Sequence, residues 1–229
     1  MKLLLSLILI IAFVGSFINA VNVRVPQKNI KGDYCLNVLK DIYGYNSNFT
    51  AVSSNGQTDA GQNSFFENGY ISIDYENEQM FVVYDVDLQG KQVSGQTWMF
   101  SKNQTQYVLA DNQCYKVPFN GEFPTNSDLQ SVGFTTLGMV QAENLQPVNQ
   151  VDGTTQTLTV DSTYCSPMTI QIVSSDNGVS GYTIMNFNNY KETIISSDFI
   201  LPSECASAST SLKSVKSHKA YPELLKKLL

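Results

Sequence analysis

The chain has 229 residues, a net charge of −6 at pH 7 and 42% hydrophobic residues, which suits one large domain. The charge is divided. Residues 21–211 hold 8 Lys+Arg against 19 Asp+Glu, near −11, and residues 212–229 hold 5 Lys against 1 Glu, near +4. An acidic body repels phosphates, so nucleic acid is excluded as its partner, and solubility accounts for most of the charge.

In chain order, Met1 to about Ala20 reads as a signal peptide. Lys2 supplies the positive start, Leu3 to Val14 the apolar stretch and Ile18-Asn19-Ala20 the cleavage site. The apolar run falls short of the ~20 residues that a membrane span needs. Residues 21–205 then form a single β domain, with no linker and no internal repeat dividing it. Strands are expected over 47–54, 69–76, 79–87, 96–102, 105–110, 112–118, 131–142, 154–161, 166–174, 180–187 and 190–196. Turn chemistry separates them at Glu76-Asn77-Glu78, Lys102-Asn103-Gln104, Asp152-Gly153 and Asp176-Asn177-Gly178. The last of these marks the clearest hairpin. Helix is scarce: two turns over Leu36–Tyr43, one over Pro124–Leu129, and an ambiguous stretch over Ile194–Leu201. The class is mainly β, a large curved antiparallel sheet with a few short helices. Residues 206–229 lack a core pattern and read as a disordered basic tail. Its end, Tyr221–Leu229, is a short amphipathic helix candidate. Membrane contact by this tail is disfavoured, because helices under ~12–15 residues are marginal in water.

Four cysteines, Cys35, Cys114, Cys165 and Cys205, in a chain with a signal peptide favour two disulfides. Spacing alone leaves all three pairings open. Zinc is a poor rival, since no cysteine has a close Cys or His neighbour in sequence. Two glycosylation acceptors occur, Asn48-Phe-Thr50 and Asn103-Gln-Thr105, both in turn-like sequence.

The single histidine, His218, lies in the tail. The body therefore has no imidazole to serve a Ser/His/Asp or Cys/His nucleophile. Carboxylate pairs are too numerous among 19 acids to inform, no phosphate-cradling loop occurs, and no enzyme is expected. Asp85-Val-Asp87-Leu-Gln89-Gly90 imitates the start of an EF-hand loop, but Gln89 and Gln96 stand where position five wants Asp or Asn and position twelve a bidentate Glu. It reads as a turn. No metal ligand is assigned, and calcium stays the one candidate cofactor.

The apolar rows are the stronger clue. Ile71/Ile73/Tyr75, Trp98/Phe100, Tyr107/Leu109, Met168/Ile170/Ile172 and Tyr182/Ile184 repeat at period two, and the opposite parity is partly apolar as well. A sheet apolar on both faces must be covered on both. Two readings compete: an ordinary sandwich core, or an incomplete layer that leaves room for an apolar ligand. Met80, Met99, Met139, Met168 and Met185 suit an adaptable wall, and equally suit core filling.

Four stretches stand out together: Ile71–Tyr84; Trp98–Tyr107 followed by Cys114-Tyr-Lys-Val-Pro-Phe119; Leu137-Gly138 with Val140-Gln141 and Tyr164-Cys165-Ser-Pro167; and Phe199-Ile-Leu-Pro202-Ser-Glu-Cys205. In their order and cysteine placement the body resembles the ependymin-related family. The chain differs in lacking a further cysteine pair, in carrying Ala142-Glu143-Asn144 where a Trp is usual, and in lacking the usual Pro and Trp after Cys35. The resemblance implies a LolA-like half-barrel or sandwich around an apolar pocket, with bridges Cys35–Cys165 and Cys114–Cys205. It also implies a secreted or lysosomal glycoprotein, often dimeric, that binds lipid-like ligands, with calcium-dependent behaviour in some members. The expected function is thus binding of a lipid or other apolar small molecule, with Ile73, Trp98, Phe100, Tyr107 and Met168 as pocket positions. The alternative is a calcium-dependent matrix or cell-adhesion glycoprotein without an internal ligand.

Overall fold

Alternating apolar positions broken by short polar turns build nearly everything in the domain. The computed structural model describes residues 34–58, 61–88, 90–119, 123, 129–149, 154–176 and 179–208. Among the described residues, helix α1 (Tyr34–Lys40) comes first. The strands are β1 (Gly44–Thr58), β2 (Gly61–Asp74), β3 (Gln79–Leu88), β4 (Lys91–Phe100), β5 (Thr105–Ala110), β6 (Gln113–Pro118), β7 (Leu129–Leu137), β8 (Val140–Pro147), β9 (Thr154–Asp161), β10 (Pro167–Asp176) and β11 (Val179–Lys191). They form one 11-stranded sheet in the order β6-β5-β4-β3-β2-β1-β11-β10-β9-β8-β7. Two meanders, β1–β6 and β7–β11, join where β1 pairs antiparallel with β11. Strands β6 and β7 are the edges, so the sheet stays open.

Twist accumulates across so many strands. Bulges bend the sheet further at Asn46/Asn48, Ser53/Gly56, Ser131/Gly133 and Pro167/Thr169. The result is the open, curved antiparallel sheet with few short helices that the sequence leads one to expect.

Local chemistry sets the turns. Asp111 and Asn112 both take left-handed backbone angles (φ 50° and 59°) in the two-residue β5–β6 turn, which short-side-chain polar residues tolerate. Asp74 closes the β2–β3 turn by accepting from the Asn77 N–H (2.9 Å), Asn77 Nδ2 (2.8 Å) and Gln79 Nε2 (2.9 Å). Burial works to raise the Asp74 carboxyl, but these hydrogen bonds outweigh it and hold the group below its ordinary range.

Three sequence expectations need correction. Residues 131–142 are not one strand but parts of two, β7 and β8, joined by Gly138 and Met139. That turn rests on the left-handed φ of Gly138 (63°) and is hidden in the sequence by apolar flanks. No separate strand covers 190–196. Tyr190 and Lys191 end β11, and Ser196–Phe199 is a 3-10 turn. Strand β2 also begins at Gly61, well before residue 69. The expected turn over Pro124–Leu129 lies outside the described residues except Leu129, which opens β7.

Cross-strand register assigns the described strand side chains to two faces. One row runs Leu145–Leu158–Ile170–Met185–Ala51–Glu67–Val86–Val93. Another on the same side runs Tyr45–Ile73–Met80–Met99–Gln106–Val117. This inner face carries the largest cluster, including Phe49, Ile71, Ile73, Met80, Val82, Tyr84, Met99, Phe119 and Met185. The outer face carries Tyr70, Phe81, Trp98, Phe100, Tyr107 and Cys114.

Along the inner row Phe49–Gly69–Tyr84–Gly95, aromatics alternate with glycines. A Cβ on Gly69 would strike the Phe49 ring, with Val83 O only 2.5 Å away, and one on Gly95 would strike the end of the Tyr84 side chain. Each ring therefore lies over a glycine rather than standing off the sheet. Gly69→Ala is expected to cost about 1–3 kcal/mol, because the backbone carbonyl cannot yield as a side chain can. A lowered urea midpoint with unchanged m-value is the measurement.

Candidate functional site

The inner face is the candidate site. At the β8–β9 end it is covered by α1, whose Cys35, Leu36 and Leu39 pack on Leu145, Val160 and Cys165. The bridge Cys35–Cys165 ties helix to sheet across 130 positions. At the other end Tyr45 meets Tyr190 and Tyr75 (ring centroids 5.3 and 6.3 Å apart), and Tyr75 meets Phe123 edge-on at 6.2 Å. Phe119 and Phe123 also pack in the inner-face cluster. Between lie Met80, Met99 and Met185, all fully buried, whose unbranched thioethers adapt to irregular shapes.

Among the described residues, four non-aromatic side chains of this apolar layer have buried polar atoms without a hydrogen-bond partner. They are Glu67 through both carboxylate oxygens, Thr97 through its hydroxyl, Gln106 through its amide nitrogen, and Glu143 through both oxygens. Register places all four on the inner face, on β2, β4, β5 and β8. Leaving such a group buried and unpaired costs about 1–3 kcal/mol, more for a charge. A folded chain keeps such groups where something else supplies the partner.

Glu67 is fully buried, near enough to the Tyr84 hydroxyl for its charge to act on it. It is 0% exposed, faces Ala51 and Val86 on its neighbouring strands, and is flanked on its own strand face by Phe65 and Gly69. Burial holds its carboxyl well above the usual carboxylate range. Burial, and then the charges of Glu67 and Asp111, push the Tyr84 hydroxyl up to about 12. Because the folded value is raised, the contribution of Glu67 to stability is fully present below its unfolded pKa of about 4.3 and is lost as pH rises through the folded value. Glu67→Gln is therefore expected to melt with the parent near about pH 4 and above it at pH 7. Equal melting temperatures at pH 7 would mean that the carboxyl is solvated.

The structure separates the five expected pocket positions. Ile73 lies in the inner cluster. Trp98, Phe100 and Tyr107 lie together on the outer face, opposite in parity to Met99 and Gln106. Met168 is half-buried beside the β9–β10 bulge. The outer group is covered by the C-terminal segment 196–208, a strap that packs Phe199, Leu201 and Ala208 on it. Trp98 Nε1 donates to the Asp198 carbonyl (2.9 Å), and Tyr70 Oη donates to Asp198 Oδ2 (2.6 Å). The rings of Phe81 and Trp98 stack at 5.1 Å, and Cys205 bonds to Cys114 on β6. Trp98 is 2% exposed beneath this strap, so its surroundings are those of a packed core. Among the five methionines, Met139 is 84% exposed at the β7–β8 turn and forms no wall.

The remaining motifs resolve locally. Asp87 Oδ1 accepts from the Gly90 N–H (2.9 Å) and Asp85 Oδ1 from the Ser94 hydroxyl (3.1 Å), so the EF-hand-like carboxylates brace the β3–β4 turn. Among the described residues no group of three or more His, Cys, Asp or Glu is placed to hold a metal. Asn103 is exposed in a 3-10 turn, as its sequence suggests. Asn48 is exposed too, but it sits mid-strand in β1, opposite Tyr70 and Asn188, and not in a turn. The signal peptide, the basic tail and His218 lie outside the described residues.

Sequence reasoning missed Glu67, Phe49 and Tyr84 as site residues. The available signal was the pair Phe65-Phe66 followed by Glu67-Asn68-Gly69, an acid one step from two aromatics in a run that otherwise reads as polar loop.

The two disulfides fit an extracellular or lumenal protein. An uncharacterised protein of Dictyostelium discoideum is 24% identical over 212 residues, spanning 89% of this chain and 67% of the relative. Among solved structures, an uncharacterised conserved protein from Thermus thermophilus superposes with a TM-score of 0.48 at 12% identity, covering 75% of this chain and 94% of that one. A LolA superfamily protein from Nitrosomonas europaea gives 0.36 at 10% identity, covering 74% and 97%. The family model described as "Ependymin domain, amoebozoa" matches residues 34–228, and the chain belongs to that family.

Proposed function

We propose that this protein is a non-enzymatic carrier of an oxidising compartment, secreted or lysosomal, that holds an apolar-chain ligand against the inner face of its sheet. The observation that carries the reading is the composition of that face. Three fully buried methionines and aromatic rings laid over glycines surround buried polar groups that lack partners. Ligand sites have this mixture, mostly apolar with a few polar groups that orient what binds. Binding draws on burial of apolar surface, at about 25 cal/mol per Å² removed from water, and no residue is assigned bond-making chemistry. A closed core of the same size has no use for unpaired carboxyls. Glycans on Asn48 and Asn103 point away from the inner face, since one sits on the outer side of β1 and the other at the β4–β5 turn.

Lipid extraction and mass spectrometry on protein from a eukaryotic secretory host test the proposal, followed by titration of delipidated protein with a neutral apolar fluorophore. The expected result is a co-purifying lipid or one saturable fluorophore site. An empty protein with no saturable uptake would overturn it.

A further inference from the structure

Among the described residues the buried groups of the inner face that carry charge have one sign. Glu67 and Glu143 are buried there with neither carboxyl hydrogen-bonded. Among the described residues no Lys, Arg or His is buried anywhere. The basic residue whose register position falls on this face, Lys91, is exposed at the β3–β4 turn. The body around the site carries 8 Lys+Arg against 19 Asp+Glu over residues 21–211.

These facts rank head groups. A carboxylate, sulfate or phosphate entering this layer would lose its water and meet two acids and, among the described residues, no buried cation, a desolvation cost without repayment. A neutral hydroxyl would find a hydrogen-bond partner in Glu67 or Thr97. An ammonium would find a carboxyl in dry surroundings, where opposite charges attract far more strongly than in water, and the acidic body would favour its approach. The flanking Gly69 and the Phe49 ring lying over it leave Glu67 without a competing donor beside it on β2.

We propose that the inner face takes an amphiphile with one long apolar chain and a primary ammonium head, and that the head pairs with Glu67. The carboxyl ionises as the ammonium arrives, and its proton leaves to solvent. This inference rests on the ligand-binding reading and adds the class of head group to it.

The test uses three ligands of equal chain length below their micelle concentrations, namely dodecylamine, dodecanol and dodecanoate. Each displaces the neutral fluorophore from oxidised, delipidated full chain at pH 7. The parent protein, Glu67→Gln and Glu76→Gln are compared, the last removing an exposed turn carboxylate. Dodecylamine is expected to bind about tenfold or more tighter than dodecanoate, a tenfold ratio being about 1.4 kcal/mol. Glu67→Gln is expected to remove that preference while dodecanol affinity holds, and Glu76→Gln to change nothing. Dodecanoate binding as tightly as the amine overturns the proposal. So does a Glu67→Gln protein that loses all three ligands alike, which would make Glu67 structural, or a Glu76→Gln protein that weakens the amine equally, which would make the preference a surface effect. If dodecanol and the fluorophore also fail to bind, the ligand-binding reading falls with it. If dodecanol alone binds, only the head-group assignment falls.

Discussion

Replacing Trp98 with alanine is expected to destabilise the domain by about 3–5 kcal/mol, the range for a large aromatic removed from a packed core. The indole is stacked on Phe81, covered by the strap, and hydrogen-bonded to the Asp198 carbonyl. Its loss therefore leaves a cavity and also unfastens the strap from the sheet. Tyr70 alone would then hold Asp198, through its 2.6 Å hydrogen bond. Urea unfolding followed by circular dichroism measures the cost, since the chain has one Trp and its fluorescence is lost with it. A cost under about 1 kcal/mol, ordinary for a surface position, would mean that the strap does not bury this ring. In the parent protein the same geometry makes Trp98 a reporter of the strap. Its emission is expected to shift to the red when Cys114–Cys205 is opened and to stay unchanged when ligand binds.

Removing the other bridge is the second large effect. Serine at both Cys35 and Cys165 is expected to cost about 2–5 kcal/mol, as for other native disulfides. The bridge closes a span of 130 positions and fastens a helix of 7 residues, too short to hold its own conformation. Once freed, α1 no longer covers Leu145 and Val160, so the inner face opens at its β8–β9 end. Stability and fluorophore affinity are therefore expected to fall together in this variant. Serine at Cys114 and Cys205 is expected to lower stability while leaving affinity in place under folding conditions, because that bridge lies on the outer face. Equal effects of the two bridges on affinity would contradict the division of labour between faces.

The central hairpins were legible because short polar turns bound the apolar runs of β3, β4, β5 and β6, with burial alternating along all of β5. The two disulfides followed from the family likeness, since spacing left three pairings open. The face to which each row belongs was not legible. Trp98 and Met99 are neighbours, both large and apolar, and nothing in the alternation says which one faces the strap. Parity became readable only through register with Ile73 and Phe81. The first half of β2 was missed because Gly61-Gln-Asn-Ser64 carries no apolar signal, and with it went the parity that puts Glu67 inside. The β7–β8 turn was missed because Leu137 and Met139 flank Gly138 with apolar side chains. The strand expected over 190–196 failed for the opposite reason: Thr193-Ile194-Ile195 has strand-forming residues, but the β1–β11 ladder ends at Asn46 and Lys191, and the Thr193 carbonyl accepts from the Asn46 side chain instead.

Photolabelling with a diazirine-bearing long-chain alcohol, mapped by peptide mass spectrometry, decides which face holds a ligand. Saturable labelling is expected on the inner-face residues Met80, Met99, Met185 and their neighbours, competed by unlabelled alcohol, with Phe81, Trp98 and Tyr107 unlabelled. Saturable labelling of Trp98 or Tyr107 in place of the methionines would contradict ligand binding on the inner face.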